Sequence, residues 1–200
     1  MSTPALPGGP GRLDPRVARS RAAVIAATLD LLADRGITAT TIEAVAERSG
    51  VAKTTIYRHW DDQPSLVMDA IGSTLQEPPL PDTGSLREDL VALLTGLASA
   101  LHRSPAAALM PALIEAAERD SAFAALHRKE AAHRHHVVRR VIARGIERGE
   151  LPSDTDVDDL LDLLTGPLFY RRWVSIGSVD ARFATRVVDV VLTGSRQPTS

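Results

Sequence analysis

Val157, Leu160, Leu161, Leu164 and Leu168 fall at i, i+3, i+4, i+7 and i+11, and Phe169, Trp173 and Ile176 continue the stripe. That period belongs to an α-helix with one buried face. Similar spacing recurs at Ile25, Leu29 and Leu32, and at Val179, Phe183, Val187, Val190 and Val191. Nowhere do apolar and polar residues alternate as in a strand, and no internal repeat is present, so an all-α fold is expected. Aromatic residues make up only 4% of the 200 residues, and the apolar mass is Ala, Leu and Val, which suits closely approaching helices.

Local signals place the helix ends. Asp14-Pro15 supplies an N-cap and a first-turn proline, and the first helix should run to Arg35, stopped by Gly36. Thr40 and Glu43 read as a capping box opening a short helix over Ile42, Val45 and Ala46. A second short helix is expected over residues 52–60. Asp61 or Asp62 should cap the next one, which carries Leu66, Val67, Ala70, Ile71 and Leu75. The run EPPLPDTG at 77–84 is a break. Beyond it, helices are expected over 86–101, from Ser104-Pro105 with a kink or restart at Pro111, and over 121–148 before Gly149. Asp154 or Thr155 should cap the helix that holds the long stripe, with a bend at Gly166-Pro167. A final helix is expected from Val179. The organisation is a disordered Pro/Gly-rich arm at 1–13, a small helical module at 14–62 and a larger helical domain at 63–196, about nine helices in all.

Composition excludes several chemistries. There is no cysteine, hence no disulfide, thiolate zinc site or cysteine nucleophile. No apolar run spans a bilayer, and residues 1–10 lack the basic and apolar regions of a signal peptide, so a cytoplasmic protein is expected. Residues 1–60 hold eight Lys and Arg against five Asp and Glu, whereas 61–200 hold fifteen against twenty. The N-terminal part can therefore face phosphate. No glycine-rich phosphate loop, dinucleotide fingerprint, G-x-S-x-G or H-E-x-x-H appears, which argues against an enzyme and implies no cofactor. His127, Glu130, His133, His135 and His136 crowd one helix, but a solvated face is expected there rather than a metal site. Arg171-Arg172 should either pair at an interface or snorkel along the helix.

Residues 40–66, TTIEAVAERSGVAKTTIYRHWDDQPSL, contain two short helices joined by a glycine turn, the spacing of a helix-turn-helix. In that motif the second helix enters the major groove. Here it opens with Lys53, Thr54 and Thr55 and ends with Tyr57, Arg58 and His59, all hydrogen-bonding or cationic groups, while Val51 and Ile56 face inward. Gly50, Val51, Ile56, Tyr57, His59 and Trp60 match the pattern Gly-Val-x-x-x-x-hydrophobic-Tyr-x-His-Phe/Trp, and the segment resembles the TetR family of bacterial transcriptional regulators. Leu31-Leu32, Gly36 and Thr40-Thr41 stand where that family places its first helix and following turn. The resemblance covers residues 20–71; the remainder is similar in helix number and order.

The resemblance implies a homodimeric repressor on a near-palindromic DNA operator, released by a small, largely apolar effector. By position, Thr41, Tyr57 and His59 would contact phosphate, and Lys53, Thr54 and Thr55 would face the major groove, with Arg58 beside them. Trp60 would be core. Where the family often carries a lysine at the start of its fourth helix, this chain has Asp61, Asp62, Gln63 and Pro64. A lysine at Gln63 is therefore expected to tighten DNA binding. Effector-pocket candidates are Leu97, Leu101, Met110, Leu113, Phe123 and Trp173, with Leu93 and Leu109 near them. The dimer interface is expected from Leu160, Leu164, Leu168, Phe183, Val187 and Val190. The alternative is a helical dimeric interaction protein that does not bind DNA.

Overall fold

The computed structural model describes residues 15–74 and 79–195. The arm at 1–13, the Asp14 cap and Leu75 lie outside them. Among the described residues every regular element is helical, with nine α-helices. The chain divides into two compact units between Ala70 and Ile71. Leu66 and Ala70 sit in the core of the first unit, which is why the division falls beyond position 62.

The first unit begins with α1, Pro15–Arg35. Gly36 follows at φ +75°, a left-handed conformation that costs a residue without Cβ nothing. The N-cap lies one residue beyond its expected place, and with Ala44 at the third helical position there is no reciprocal capping box. Thr41, not Thr40, caps α2 (Ile42–Ser49), its hydroxyl accepting from the Ala44 amide. Thr40 is fully buried and donates its hydroxyl to the Gly36 carbonyl. That bond turns the Thr40 side chain back toward Gly36 and into the core, away from the α2 amides. The helix expected over 52–60 is also shorter: α3 is Lys53–Ile56, followed by a turn through His59. Asp62 precedes α4, Gln63–Ser73, and its Oδ1 accepts from the Ser65 amide at 2.8 Å. The core joins Val24, Leu31, Ile42, Val45, Ile56, Trp60 and Leu66.

The second unit contains α5 (Leu86–Arg103), α6 (Pro105–Arg119), α7 (Ser121–Glu147), α8 (Val157–Phe169) and α9 (Ala181–Gly194). Helix α6 runs through Pro111 as one element, so of the expected kink or restart there is no restart. Asp156, rather than Asp154 or Thr155, caps α8, accepting from the Asp158 and Asp159 amides. A π-helical turn, Tyr170–Val174, extends α8 beyond Pro167. Asp180 caps α9, so the last helix starts two residues later than the apolar pattern does.

Helix α5 is enclosed by α7, α8 and α9, and the core runs through Leu86, Leu90, Leu94, Val141, Ile142, Leu161, Leu164 and Val188. At Gly145 a Cβ would stand 2.7 Å from Leu86 Cδ2, so α5 and α7 are in close approach there. Leu160, Leu164 and Leu168 are 3%, 0% and 0% exposed and belong to this core, as does Val187 at 7%. These four, expected at the dimer interface, are covered within their own chain: the apolar stripe read from the sequence is the face that packs inward.

One buried charge organises this unit. Asp89 is completely buried, accepts from the Thr83 amide and hydroxyl at 2.8 Å each, and pairs with Arg144 at 3.4 Å and Arg148 at 3.8 Å. Arg144 also donates to the Pro81 carbonyl and pairs with Asp82. Residues 81–83 are thereby held to the end of α7.

Candidate nucleic-acid interface

The turn between α2 and α3 is made by Gly50, at φ +68°, whose amide donates to the Ala46 carbonyl. The Ser49 hydroxyl accepts from the Val51 amide and tightens the same turn. Ile56 is fully buried, so the opposite side of α3 is turned outward. Lys53 and Thr54 are exposed there, and Thr55 is half-buried. Tyr57, Arg58 and His59 are exposed on the turn that follows α3, and Tyr57 keeps 49% of its surface. Thr41 is exposed at the start of α2, with its hydroxyl committed to the cap. All seven expected contact residues thus lie on α3, on the turn after it or at the α2 N-terminus.

Three further relationships were not legible in the sequence. Lys53 Nζ donates to Glu43 Oε1 at 3.0 Å, joining the start of α3 to the first turn of α2. That hydrogen bond, with the Glu43 backbone and the lysine charge, holds the Glu43 carboxyl below the usual carboxylate range. Trp60, buried as expected, donates its indole N–H to Asp69 Oδ2 at 2.8 Å, and Arg21 binds the same oxygen at 2.6 Å. One carboxylate therefore ties α1, α4 and the end of the recognition segment together. Gln63 Nε2 donates to the Ile37 carbonyl at 2.8 Å and the Thr40 carbonyl at 3.0 Å. The residue standing where a phosphate-binding lysine is often found instead staples the loop before α2.

Residues 24–67 match the bacterial regulatory proteins of the tetR family, and residues 80–191 match the tetracyclin repressor-like C-terminal domain. The chain belongs to the TetR family of bacterial regulatory proteins. Within the family it is 33% identical over 176 residues to the HTH-type transcriptional regulator YdeS of Bacillus subtilis (strain 168), covering 87% of this chain and 88% of YdeS. It is 31% identical over 175 residues to the DNA-binding transcriptional repressor TetR of Mycobacteroides abscessus, covering 86% and 90% of the two chains. The crystal structure of the TetR family regulator SCO0332 superposes with a TM-score of 0.68 at 33% identity, over 88% of this chain and 98% of that one. The protein is a DNA-binding transcriptional regulator. No helix among the described residues is long and apolar enough to cross a membrane.

The expected effector-pocket residues fall in two places. Leu101 is buried in the main core of the second unit, and Leu97 and Trp173 are half-buried at its edge. Met110, Leu113 and Phe123, also buried, lie on α6 and α7 outside that core cluster. Two surface concavities, lined by Gly149, Glu150, Leu151 and Pro152 and by Leu31, Arg35, Ala44, Glu47 and Arg48, touch none of the six.

Proposed function

We propose that this regulator is a homodimeric repressor that leaves its operator when a small molecule binds the second unit. The observation that carries DNA contact is the outward display of Lys53, Thr54, Tyr57, Arg58 and His59 around a fully buried Ile56. Thr54 and Thr55 lie in the first turn of α3, where side chains of a recognition helix reach base edges. Tyr57, Arg58 and His59 follow on the turn and suit phosphate oxygens, as does Thr41 at the start of α2. Two such modules related by a twofold axis would read half-sites one helical turn, ~34 Å, apart. The M. abscessus relative is itself named a repressor, which favours that sign of regulation.

The apolar surface left over after folding supports a dimer. Leu163 is 59% exposed, Tyr170 60%, Val174 64% and Val190 73%. They stand on α8, on the π-helical turn and on α9, beside the half-buried Phe183, over which the Arg171 guanidinium lies 4.0 Å from the ring centre. Two copies pairing through these helices would cover that face. Phe183 and Val190 remain in the proposed interface, and Leu163 and Tyr170 replace the core leucines.

The decisive test is operator affinity on matched and scrambled DNA. Thr54→Ala should change preference by ~1–3 kcal/mol at one position of each half-site. Tyr57→Phe should weaken matched and scrambled DNA alike. Wild-type affinity and preference in both, with the protein folded and dimeric, would remove Thr54 and Tyr57 from the DNA contact, and equal binding of matched and scrambled DNA by the wild type itself would favour the reading as an interaction protein.

A further inference from the structure

The two helices of the helix-turn-helix meet at one exposed ion pair. Glu43 stands in the first turn of α2, two residues after the capping Thr41. Lys53 is the first residue of α3. Glu43 Oε1 lies 3.0 Å from Lys53 Nζ, so a carboxylate reaches the start of the recognition helix from the neighbouring helix. The Glu43 side chain is 62% exposed and that of Lys53 53%, so packing holds neither in place.

An acid here runs against its surroundings. Lys53, Thr54, Tyr57, Arg58, His59 and Thr41, exposed on α3, on the turn after it and at the start of α2, can all donate hydrogen bonds. Other acids of this unit serve its architecture. Asp34 pairs with Arg48 at 3.3 Å, Asp62 accepts from the Ser65 amide, and Asp69 accepts from Trp60 and Arg21. The α2 N-terminus favours an acid in its first turn, yet the partner that Glu43 meets is on α3 and belongs to the DNA-facing set.

Against DNA this acid has a cost and a use. When Lys53 exchanges Glu43 for a phosphate, the carboxylate is left beside a polyanion, which lowers affinity for every sequence. A carboxylate accepts hydrogen bonds and donates none. On the major-groove edges, guanine N7 and O6, adenine N7 and thymine O4 are acceptors, and only the cytosine N4 and adenine N6 amines donate. The adenine amine lies between two acceptors, its own N7 and the O4 of the paired thymine. The cytosine amine has an acceptor on one side only, the O6 of the paired guanine. Cytosine is therefore the base that suits a carboxylate.

We propose that Glu43 is a specificity-determining residue, whose carboxylate accepts a hydrogen bond from the N4 amine of one cytosine in each half-site and is repelled by other bases there. This rests on, and deepens, the DNA-contact reading above, because it gives a base to a residue outside the recognition helix. In the free protein Lys53 neutralises Glu43. A matched operator satisfies the carboxylate that Lys53 gives up, and a wrong sequence does not. Glu43 thus separates right from wrong DNA by weakening the wrong complex.

The test is selection from random-sequence duplex DNA by the full-length wild type, Glu43→Gln and Lys53→Ala, followed by affinities for single-base variants of the selected operator. Glutamine keeps the shape and one acceptor oxygen, adds a donor and drops the charge. The wild type should select cytosine at one position of each half-site, and replacing that base should lower affinity about tenfold. For Glu43→Gln the same replacement should cost only about threefold, because a neutral hydrogen bond is roughly half as strong as a charged one. Its preference at the other positions should be unchanged. Lys53→Ala should bind more weakly and keep the cytosine preference. Identical base preferences in the wild type and Glu43→Gln overturn the assignment. A cytosine preference that vanishes in Lys53→Ala also overturns it and gives the base to Lys53. Relaxed preference at every position in Glu43→Gln overturns it too, since the acid would then act on the whole recognition helix. A wild type that enriches no sequence is a distinct result, which overturns the DNA-contact reading itself.

Discussion

The ammonium of Lys53 is held at 3.0 Å by the carboxylate of Glu43, so the first residue of the recognition helix is ion-paired within its own module. Both side chains are more than half exposed. An exposed pair of this kind contributes little to stability, and salt screens it. Lys53 can therefore exchange Glu43 for a phosphate, but the exchange competes with binding. Glu43→Gln should tighten operator binding and steepen its salt dependence by about one ion per subunit. Lys53→Ala should do the reverse. Titrations across a salt series check both, and identical slopes for all three proteins would show that Lys53 does not neutralise a phosphate.

Gln63→Lys tests the staple on the loop before α2. The sequence comparison with the family suggests tighter DNA binding, whereas the geometry gives the opposite sign. Lysine has donors enough for the Ile37 and Thr40 carbonyls, but its nitrogen stands one bond further out and its charge must be taken from water to reach them. A loss of about 1 kcal/mol of stability is expected, with unchanged or weaker operator affinity. Urea unfolding and a DNA titration decide it.

Asp89→Ala would leave the buried Thr83 donors unmatched, while Arg144 keeps Asp82 and Arg148 keeps Glu150. A loss of about 1–3 kcal/mol is expected, the cost of donors left without an acceptor. Asp89→Asn, which keeps an acceptor for Thr83, should cost less. Thermal unfolding of the two variants gives the order.

Leu163 and Leu164 are neighbours with opposite fates, one 59% exposed and the other fully buried. Leu163→Asp combined with Val190→Asp should give folded monomers by light scattering and circular dichroism. Leu164→Asp should unfold the second unit, because it puts a charge into a core with no partner. A double variant that stays dimeric would remove α8 and α9 from the interface.

Much of the helix-turn-helix was legible because it is local. Gly36 and Gly50 stop helices by backbone conformation, Asp62 begins one by capping, and the buried Ile56 and Trp60 lie within a few residues of the exposed groups they anchor. Where the reading slipped, a neighbour had taken the group. Thr40 is buried with its hydroxyl turned to the Gly36 carbonyl, so Thr41 caps α2, and Gln63, read only as a missing lysine, holds the Ile37 and Thr40 carbonyls.

The sequence by itself determined that the chain is helical, where most of its helices begin and end, and which short segment presents DNA-contacting groups. Each follows from the period of apolar residues and from contacts within a turn or two. Only the tertiary structure decided which way a helix faces when several faces are apolar. Helix α8 carries Leu160, Leu164 and Leu168 inward and Leu163 outward, and nothing in their chemistry distinguishes them. Burial of a residue depends on what packs across from it, and the partners of α8 lie on α5, α7 and α9, from about ten to about seventy residues away in sequence.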